Sequence, residues 1–204
     1  VARSPKWAIA YKYEAERAET IVKDIVLQVG RTGAVSPVAE LEPVLLAGST
    51  ISRATLHNYD FIQELDIRIS DTVLIEKGGE IIPKVVKVVL EKRPPNSEKY
   101  TFPEYCPCET DSKLVRLEGE ANYYCLSPNC PCQLRRTIEH FASREAMEIE
   151  GLGEKVVEQL FDLGYLKDIS DIYNLKNHKD ELLKIERWGK RSVDNILEAI
   201  ERSK

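Results

Sequence analysis

Five cysteines lie between Cys106 and Cys132, and the chain has no others. Cys106 and Cys108 form one close pair, Cys125 and Cys130 a second, and a hairpin-like stretch over residues 114–124 separates them. Four thiolates carried on two tight turns make the tetrahedral sulfur set that zinc prefers at structural sites. A segment this short buries little core of its own, so a metal is the usual staple. An all-cysteine site leaves no open coordination position, which argues for a structural ion rather than a catalytic one. No apolar leader suggests secretion, so the cluster reads as metal binding rather than as a disulfide framework. The spacing is irregular. Only Pro107 separates the first pair where two residues are usual, four residues separate the second, and Cys132 is either a spare thiol or a substitute for Cys108. A handful of buried free cysteines is the plainer alternative, and their crowding into one short segment counts against it.

A second kind of chemistry lies further along. Ile149-Glu150-Gly151-Leu152-Gly153 is an apolar-x-Gly-apolar-Gly turn leading into a helix, and Ile185-Glu186-Arg187-Trp188-Gly189 repeats it with Arg187 for the first glycine. Such turns offer free backbone N–H groups at a helix N-terminus, where a phosphate can sit, and glycine lets a nucleic-acid backbone come close. Lys190 and Arg191 add positive charge at the second turn. This is the helix-hairpin-helix pattern, a reader of DNA backbone rather than of bases. An ordinary glycine turn between packed helices would look the same in one copy; two copies favour nucleic acid, while Glu148, Glu150 and Glu154 weigh against it.

Three zones must carry these groups. Residues 20–92 are rich in β-branched side chains punctuated by glycine and proline. Residues 26–29 run into the turn Gly30-Arg31-Thr32-Gly33, and further strands are expected over 34–41, 44–54, 72–76 and 81–90. A helix is expected over 58–65, where Phe61, Ile62 and Leu65 share one face. Five strands with one helix between the third and fourth suggest an oligonucleotide/oligosaccharide-binding (OB) barrel. Residues 93–97 read as a linker. After the cysteine zone the texture is helical, with Val156, Val157, Leu160 and Phe161, then Val193, Ile196, Leu197 and Ile200, at helical spacing; Ser170 and Ser192 stand at expected helix starts. The 204 residues, 43% hydrophobic and 31% charged, fit a folded chain with no membrane-spanning run. The net charge of −5 excludes a globally basic nucleic-acid binder, so any DNA contact must come from local patches and backbone amides. Val1 falls inside what reads as an element, as in a piece of a longer protein.

These readings converge on one resemblance. Ser4-Pro5-Lys6-Trp7-Ala8-Ile9-Ala10-Tyr11-Lys12-Tyr13 is similar to the last motif of the adenylation domain of NAD-dependent DNA ligases. Val29-Gly30-Arg31-Thr32-Gly33-Ala34-Val35-Ser36-Pro37-Val38-Ala39, Ser52-Arg53-Ala54-Thr55-Leu56-His57-Asn58 and Lys77-Gly78-Gly79-Glu80-Ile81-Ile82-Pro83 resemble that family's barrel. Arg116-Leu117-Glu118-Gly119-Glu120-Ala121, Pro128-Asn129-Cys130-Pro131 and His140-Phe141-Ala142-Ser143-Arg144 continue it in order. The chain departs from the family at Pro107, where two residues are expected, and at Cys132, where a small residue is usual.

The resemblance implies a multi-domain α+β architecture. Its parts would be the end of the adenylation domain (1–14), an OB-fold barrel (15–102), a small four-cysteine zinc finger (103–134) and part of an all-α helix-hairpin-helix domain (135–204). It implies a cytoplasmic, monomeric enzyme with no membrane association, acting on nicked duplex DNA with NAD+ and Mg2+, with a structural Zn2+ held by Cys106, Cys108, Cys125 and Cys130. In the implied reaction a lysine takes AMP from NAD+, AMP passes to the 5′-phosphate of the nick, and the 3′-hydroxyl displaces it. The attacking lysine of the family lies in a Lys-x-Asp-Gly motif, which this sequence lacks, so the chain alone is expected to be inactive. Lys12 would meet the nucleotide phosphate and offset charge in phosphoryl transfer. Arg31, Thr32, Arg53, Lys77, Gly151, Gly153, Gly189 and Lys190 would touch DNA; His57 is as consistent with packing or capping. Two other readings stand beside this one: a free-standing DNA-repair module of the same parts, and a zinc-ribbon RNA-binding or assembly protein. The segment over residues 6–13 separates the first, since a binding module has no use for an adenylation motif. Preference for nicked duplex over structured RNA separates the second.

Overall fold

Alternation of branched apolar and polar residues sets up the first half of the chain. In the computed structural model, which describes residues 7, 15–77, 83–108, 111–186 and 188–204, five strands form: β1 (Glu16–Val29), β2 (Ala34–Leu46), β3 (Ser49–Thr55), β4 (Thr72–Lys77) and β5 (Lys84–Val88). They run in the order β1-β4-β5-β3-β2, and β2 pairs back with β1, so the sheet closes into a barrel. The β1–β4, β2–β3 and β4–β5 pairings are antiparallel, and β3 meets β5 in parallel at Thr55 and Lys84. The inward residues follow the two-residue period on β2 (Ala39 and Leu41) and β4 (Val73 and Ile75), while on β5 a register shift against Leu74 and Ile75 sets the buried Val85 and Val88 three apart. Each fully buried Val, Ile or Leu contributes roughly 1.5–3 kcal/mol over its exposed state.

The break between the second and third strands differs from expectation. It falls at Ala47 and Gly48, not near residues 42–43, and β2 runs through Pro43. Both turn residues have positive φ, 48° and 71°, the geometry of a two-residue hairpin. Pro43 is tolerated because the β2–β3 register shifts between Glu40 and Val44, where a ladder N–H is dispensable. β1 is also longer than the expected 26–29, since charged residues on its outer face hide the inward series Thr20, Val22 and Ile25.

Helix α1 (Tyr59–Leu65) starts on Asn58, whose Oδ1 accepts from Phe61 N at 2.9 Å, and buries Ile62 in the barrel core. Asp66, at φ 48°, ends it. The expected linker is tied down instead. Arg93 donates to both oxygens of Asp71 (2.9 and 2.8 Å) and to Asp66 (2.6 Å), while Arg68 donates to Asp66 (2.7 Å) and to the Ser97 carbonyl (2.7 Å). The arginines hold the Asp66 carboxyl down at about 2, Arg68 first and Arg93 second.

The chain divides into two compact units, Val1–Gln28 with Ser36–Phe102, and Val29–Val35 with Pro103–Lys204. In the second, β6 (Leu114–Arg116) and β7 (Tyr123–Cys125) form a short antiparallel hairpin, and β7 also pairs with Ala34 and Val35. Helices follow: α2 (Pro131–Ala142), α3 (Glu154–Asp162), α4 (Ile169–Asn174), α5 (Lys179–Leu182) and α6 (Lys190–Arg202). Ile138, Leu152, Val157, Leu160, Leu166, Ile172, Leu182, Val193 and Ile196 make their core. Ser170 and Ser192 lie in first turns; the N-caps are Asp168, which forms a capping box with Asp171, and Gly189. Among the described residues no helix is long and apolar enough to cross a membrane.

Candidate metal centre and nucleic-acid interface

The cysteine cluster is assembled from three local pieces. Cys106 and Cys108 flank Pro107, Cys125 closes β7, and Cys130 is the N-cap of α2, whose first residue is proline. Their sulfurs all lie within 4.8 Å of one another and all four residues are buried. Cys108 Sγ is 2.8 Å from Cys106 Sγ and 3.1 Å from Cys130 Sγ, and Cys106 and Cys130 are 3.9 Å apart. Four sulfurs around one zinc would sit roughly 3.8 Å apart, given zinc–sulfur bonds of about 2.3 Å. The single-residue spacer therefore does not keep Cys108 out of the group. Cys132, the second residue of α2, is half-buried and outside it.

Burial pushes the Cys106 thiol up, and burial together with the Cys108 hydrogen bond pushes Cys130 up to about 12. Four buried sulfurs drawn together suit a cation that compensates thiolate charge, so the donor set fits a soft or borderline divalent ion. Apart from the cysteines, Leu114 is the buried apolar side chain of the β6–β7 hairpin, little core for an independent fold.

The turn between β1 and β2 carries Arg31 and Thr32, both exposed. Arg31 makes no ion pair among the described residues. The turn is closed by Gly30 N to Ala34 O (2.8 Å) and Gly33 N to Gly30 O (2.9 Å). Gly33 sits at φ 83°, and a Cβ there would fall 2.4 Å from the Cys125 carbonyl oxygen. Elsewhere on the barrel, Arg53 is exposed and its Nε donates to Glu40 at 2.7 Å, and half-buried Lys77 reaches Ser49 Oγ at 3.3 Å. His57 is exposed with φ 57° and meets Phe61 edge to face, so the cap is its neighbour Asn58.

The two glycine turns of the helical region share one backbone course. Leu152 N bonds Ile149 O (3.2 Å) as Trp188 N bonds Ile185 O (3.1 Å). Gly153 caps α3 at φ −82°, ψ 175°, and Gly189 caps α6 at φ −80°, ψ 157°. Among the described residues no side chain caps either helix, so the earliest N–H groups of each are left for an outside acceptor. The glycines differ in their reason for being glycine. Gly151 has φ 88° and a Cβ there would lie 2.9 Å from Ile196 Cγ1, so the fold requires it. Gly153 and Gly189 have ordinary φ, and a Cβ on either would meet nothing within 4 Å. Among the described residues nothing demands glycine at these two caps.

Of the acidic neighbours, Glu154 and Glu150 lie against basic side chains. Arg136 on α2 donates to Glu154 at 2.9 Å and to Glu139 at 2.7 Å, and Arg135 donates to Glu158 at 3.0 Å. Glu150 Oε2 lies 4.0 Å from Arg202. Lys190 and Arg191, by contrast, are exposed in the first turn of α6. Gln159 accepts from the Trp188 indole at 2.8 Å and links the second turn to α3. Neither Arg136 nor Gln159 stands out in the sequence, because each acts through a partner distant along the chain. Lys12, the glycines and isoleucines over 78–82, and Arg187 lie outside the described residues.

Residues 19–97 match the model of the NAD-dependent DNA ligase OB-fold domain. The chain is 55% identical over 197 residues to a DNA ligase of Symbiobacterium thermophilum, aligning 97% of this chain with 29% of that protein. It is 56% identical over 203 residues to a DNA ligase of Acetivibrio thermocellus, aligning 99% of this chain with 30% of that one. A DNA ligase of Halalkalibacterium halodurans is 53% identical over 203 residues, again across 30% of its length. The chain thus spans under a third of the curated relatives it matches. Its barrel is thus an OB-fold domain of the NAD-dependent DNA ligase family, and from end to end the chain is similar, at more than half of its positions, to one segment of these DNA ligases.

Proposed function

We propose that this chain is the DNA-gripping stretch of an NAD-dependent ligase that joins 5′-phosphate and 3′-hydroxyl ends of a nick through an AMP intermediate. The observation that carries the gripping role is the pair of capping glycines, Gly153 and Gly189. They share one geometry, have ordinary φ and have empty space where a Cβ would be. Glycine without an internal reason fits a surface that another molecule's backbone approaches closely. In this reading 135–204 is a helix-hairpin-helix domain and 103–134 a zinc finger. The barrel over 15–102 presents Arg31, Thr32, Arg53 and Lys77 to the duplex, and Gly151, Gly153, Gly189 and Lys190 line the hairpin contacts.

Zinc at Cys106, Cys108, Cys125 and Cys130 fits the buried sulfur set, and its role there is to hold the β6–β7 hairpin in shape. Lys12 is assigned to the nucleotide phosphate and 1–14 to the end of the adenylation domain, on the likeness of their sequence to the family. NAD+ supplies the AMP, and Mg2+ assists phosphoryl transfer in the whole enzyme; the chain's own groups bind and orient the duplex. The whole protein is proposed to work as a monomer in the cytoplasm.

The test is titration of labelled nicked duplex at several salt concentrations. Arg31→Ala should weaken binding and flatten the salt slope by about one counterion, since the slope of log K against log salt steepens by roughly 0.9 for each phosphate neutralised. Gly153→Val should weaken binding with a smaller slope change, because it removes access rather than charge. Salt-insensitive binding, or binding unchanged by both substitutions, would overturn the reading.

A further inference from the structure

The turn that carries Arg31 is built on the cysteine cluster. Cys125, one of the four clustered cysteines, donates its backbone N–H to Gly33 O at 2.9 Å. Its carbonyl oxygen accepts from Gln133 Nε2 at 2.8 Å, and the same amide lies 3.4 Å from the Ser127 carbonyl. The Cys125 carbonyl occupies the space where a Gly33 Cβ would stand, and Gln133 Nε2 is 3.3 Å from the same point. Strand β7 then continues the attachment by pairing Tyr124 with Ala34 and Tyr123 with Val35. The turn belongs by its contacts to the unit that contains the cysteines rather than to the barrel it leaves and re-enters. Gln133 is itself held on α2, where its carbonyl accepts from Thr137 Oγ1 at 2.8 Å, three residues beyond the Cys130 cap.

From this we infer that Gly33 and Gln133 are positioning residues through which the cysteine centre orients the Arg31–Thr32 turn for the DNA backbone. The centre then has a task beyond stapling its own hairpin. The peptide of Cys125 is gripped from three directions: its sulfur joins the cluster, its N–H holds Gly33, and its carbonyl is held by Gln133. Displacing the sulfur moves that peptide and with it the Gly30–Gly33 turn. Gly33 is glycine for two reasons that act together, a positive φ and the absence of room beside Cys125. Arg31 contributes its charge only if the turn keeps it in place. The inference rests on the DNA-backbone role of Arg31 proposed above and adds to it a route by which the metal controls that contact.

The experiment uses the whole chain and reads zinc content, amide hydrogen exchange over residues 29–35 and affinity for nicked duplex. Gln133→Ala leaves every cysteine in place, and Gly33→Ala forces the turn away from Cys125. Both variants should keep about one zinc per chain. Both should speed exchange at the Gly30 and Gly33 amides, as should removing the metal from the wild type with a chelator. DNA binding should fall about tenfold, as expected for losing one charged contact, and adding Arg31→Ala to Gln133→Ala should cost little more. Unchanged exchange in both variants, or fully additive losses with Arg31→Ala, overturns the inference while leaving the DNA reading intact. Loss of zinc in Gln133→Ala also overturns it, since the residue would then serve the metal rather than the turn. If Arg31→Ala alone binds nicked duplex as tightly as wild type, the contact itself fails and the inference falls with it.

Discussion

Replacing Arg93 by leucine should be among the most damaging single changes in the barrel unit. Asp71 has 0% side-chain exposure and holds three hydrogen bonds: two from Arg93, at 2.9 and 2.8 Å, and one from the Arg68 backbone N–H at 2.9 Å. Arg93→Leu removes the two charged donors and leaves a buried carboxylate with a single neutral one. Breaking a buried pair in this way costs about 3–5 kcal/mol, most of it the stranded charge. Asp66 adds little, because its side chain is 41% exposed and exposed pairs are worth at most about 1 kcal/mol. Against a typical stability of roughly 5–15 kcal/mol, a loss near 3 is a large share. The readout is hydrogen exchange of the β4 amides of Val73 and Ile75 in the whole chain, which reports opening of this core. A loss of about 3 kcal/mol corresponds to exchange faster by roughly 150-fold, at about 1.4 kcal/mol per factor of ten. Asp71→Asn added to Arg93→Leu should recover part of the loss, because it removes the stranded charge. Exchange within about fivefold of wild type, or a double variant worse than Arg93→Leu, would falsify the account of a buried anion held by Arg93.

The remaining predictions are briefer. Metal analysis should find about one zinc per chain, lost in Cys125→Ser and kept in Cys132→Ser; retention of metal by Cys125→Ser would show that the four clustered sulfurs are not the ligands. Gly151→Ala should destabilise the helical region, through its positive φ and the Ile196 contact, whereas Gly153→Ala should leave thermal stability within about 0.5 kcal/mol of wild type; equal effects would refute the distinction drawn between the two glycines. The Asp66 carboxyl is depressed to about 2, so its contribution is complete above its unfolded value near 4 and is lost as pH falls from there toward 2. An acid melting curve in which Asp66→Asn and wild type run parallel throughout that window would contradict the sign. Incubating the chain with labelled NAD+ should give no covalent AMP band on denaturing electrophoresis, and such a band would reveal a nucleophile outside any Lys-x-Asp-Gly motif.

What could be read from the sequence depended on whether the signal was local. The barrel strands announced themselves by β-branched runs between glycines, and α1 by a short apolar face before Leu65. The sequence points to a β2–β3 break near Pro43 because proline is a stronger turn signal than Ala47, and the irregularity within β2 between Glu40 and Val44 explains why proline survives there. The cysteines were legible as a group, although the rule about spacers said little about Cys108, which three-dimensional closure decides. The Asp66, Arg68, Asp71 and Arg93 cluster has no sequence signature, since the Arg93 pairs span 22 and 27 residues and depend on the α1–β4 loop folding back. Gln133 was invisible for the same reason: a glutamine in the first turn of a helix carries no hint that it holds a carbonyl on another element.

The sharing of Val29–Val35 with the later half of the chain bears on how this protein can be divided. A cut after Phe102 looks natural, but it would leave that turn in one piece and its partners, β7 and Gln133, in the other. The first piece would then show the open margin of Ala34 and Val35, unpaired backbone of the kind that draws strands of neighbouring molecules together. The second would lose the strand against which Tyr123 and Tyr124 lie. Expressed separately, the halves should be less soluble than the whole, and mixing them should restore part of the loss. Exchange of such segments between homologous proteins would therefore have to carry the turn and the cysteine hairpin together, although they stand far apart along the chain.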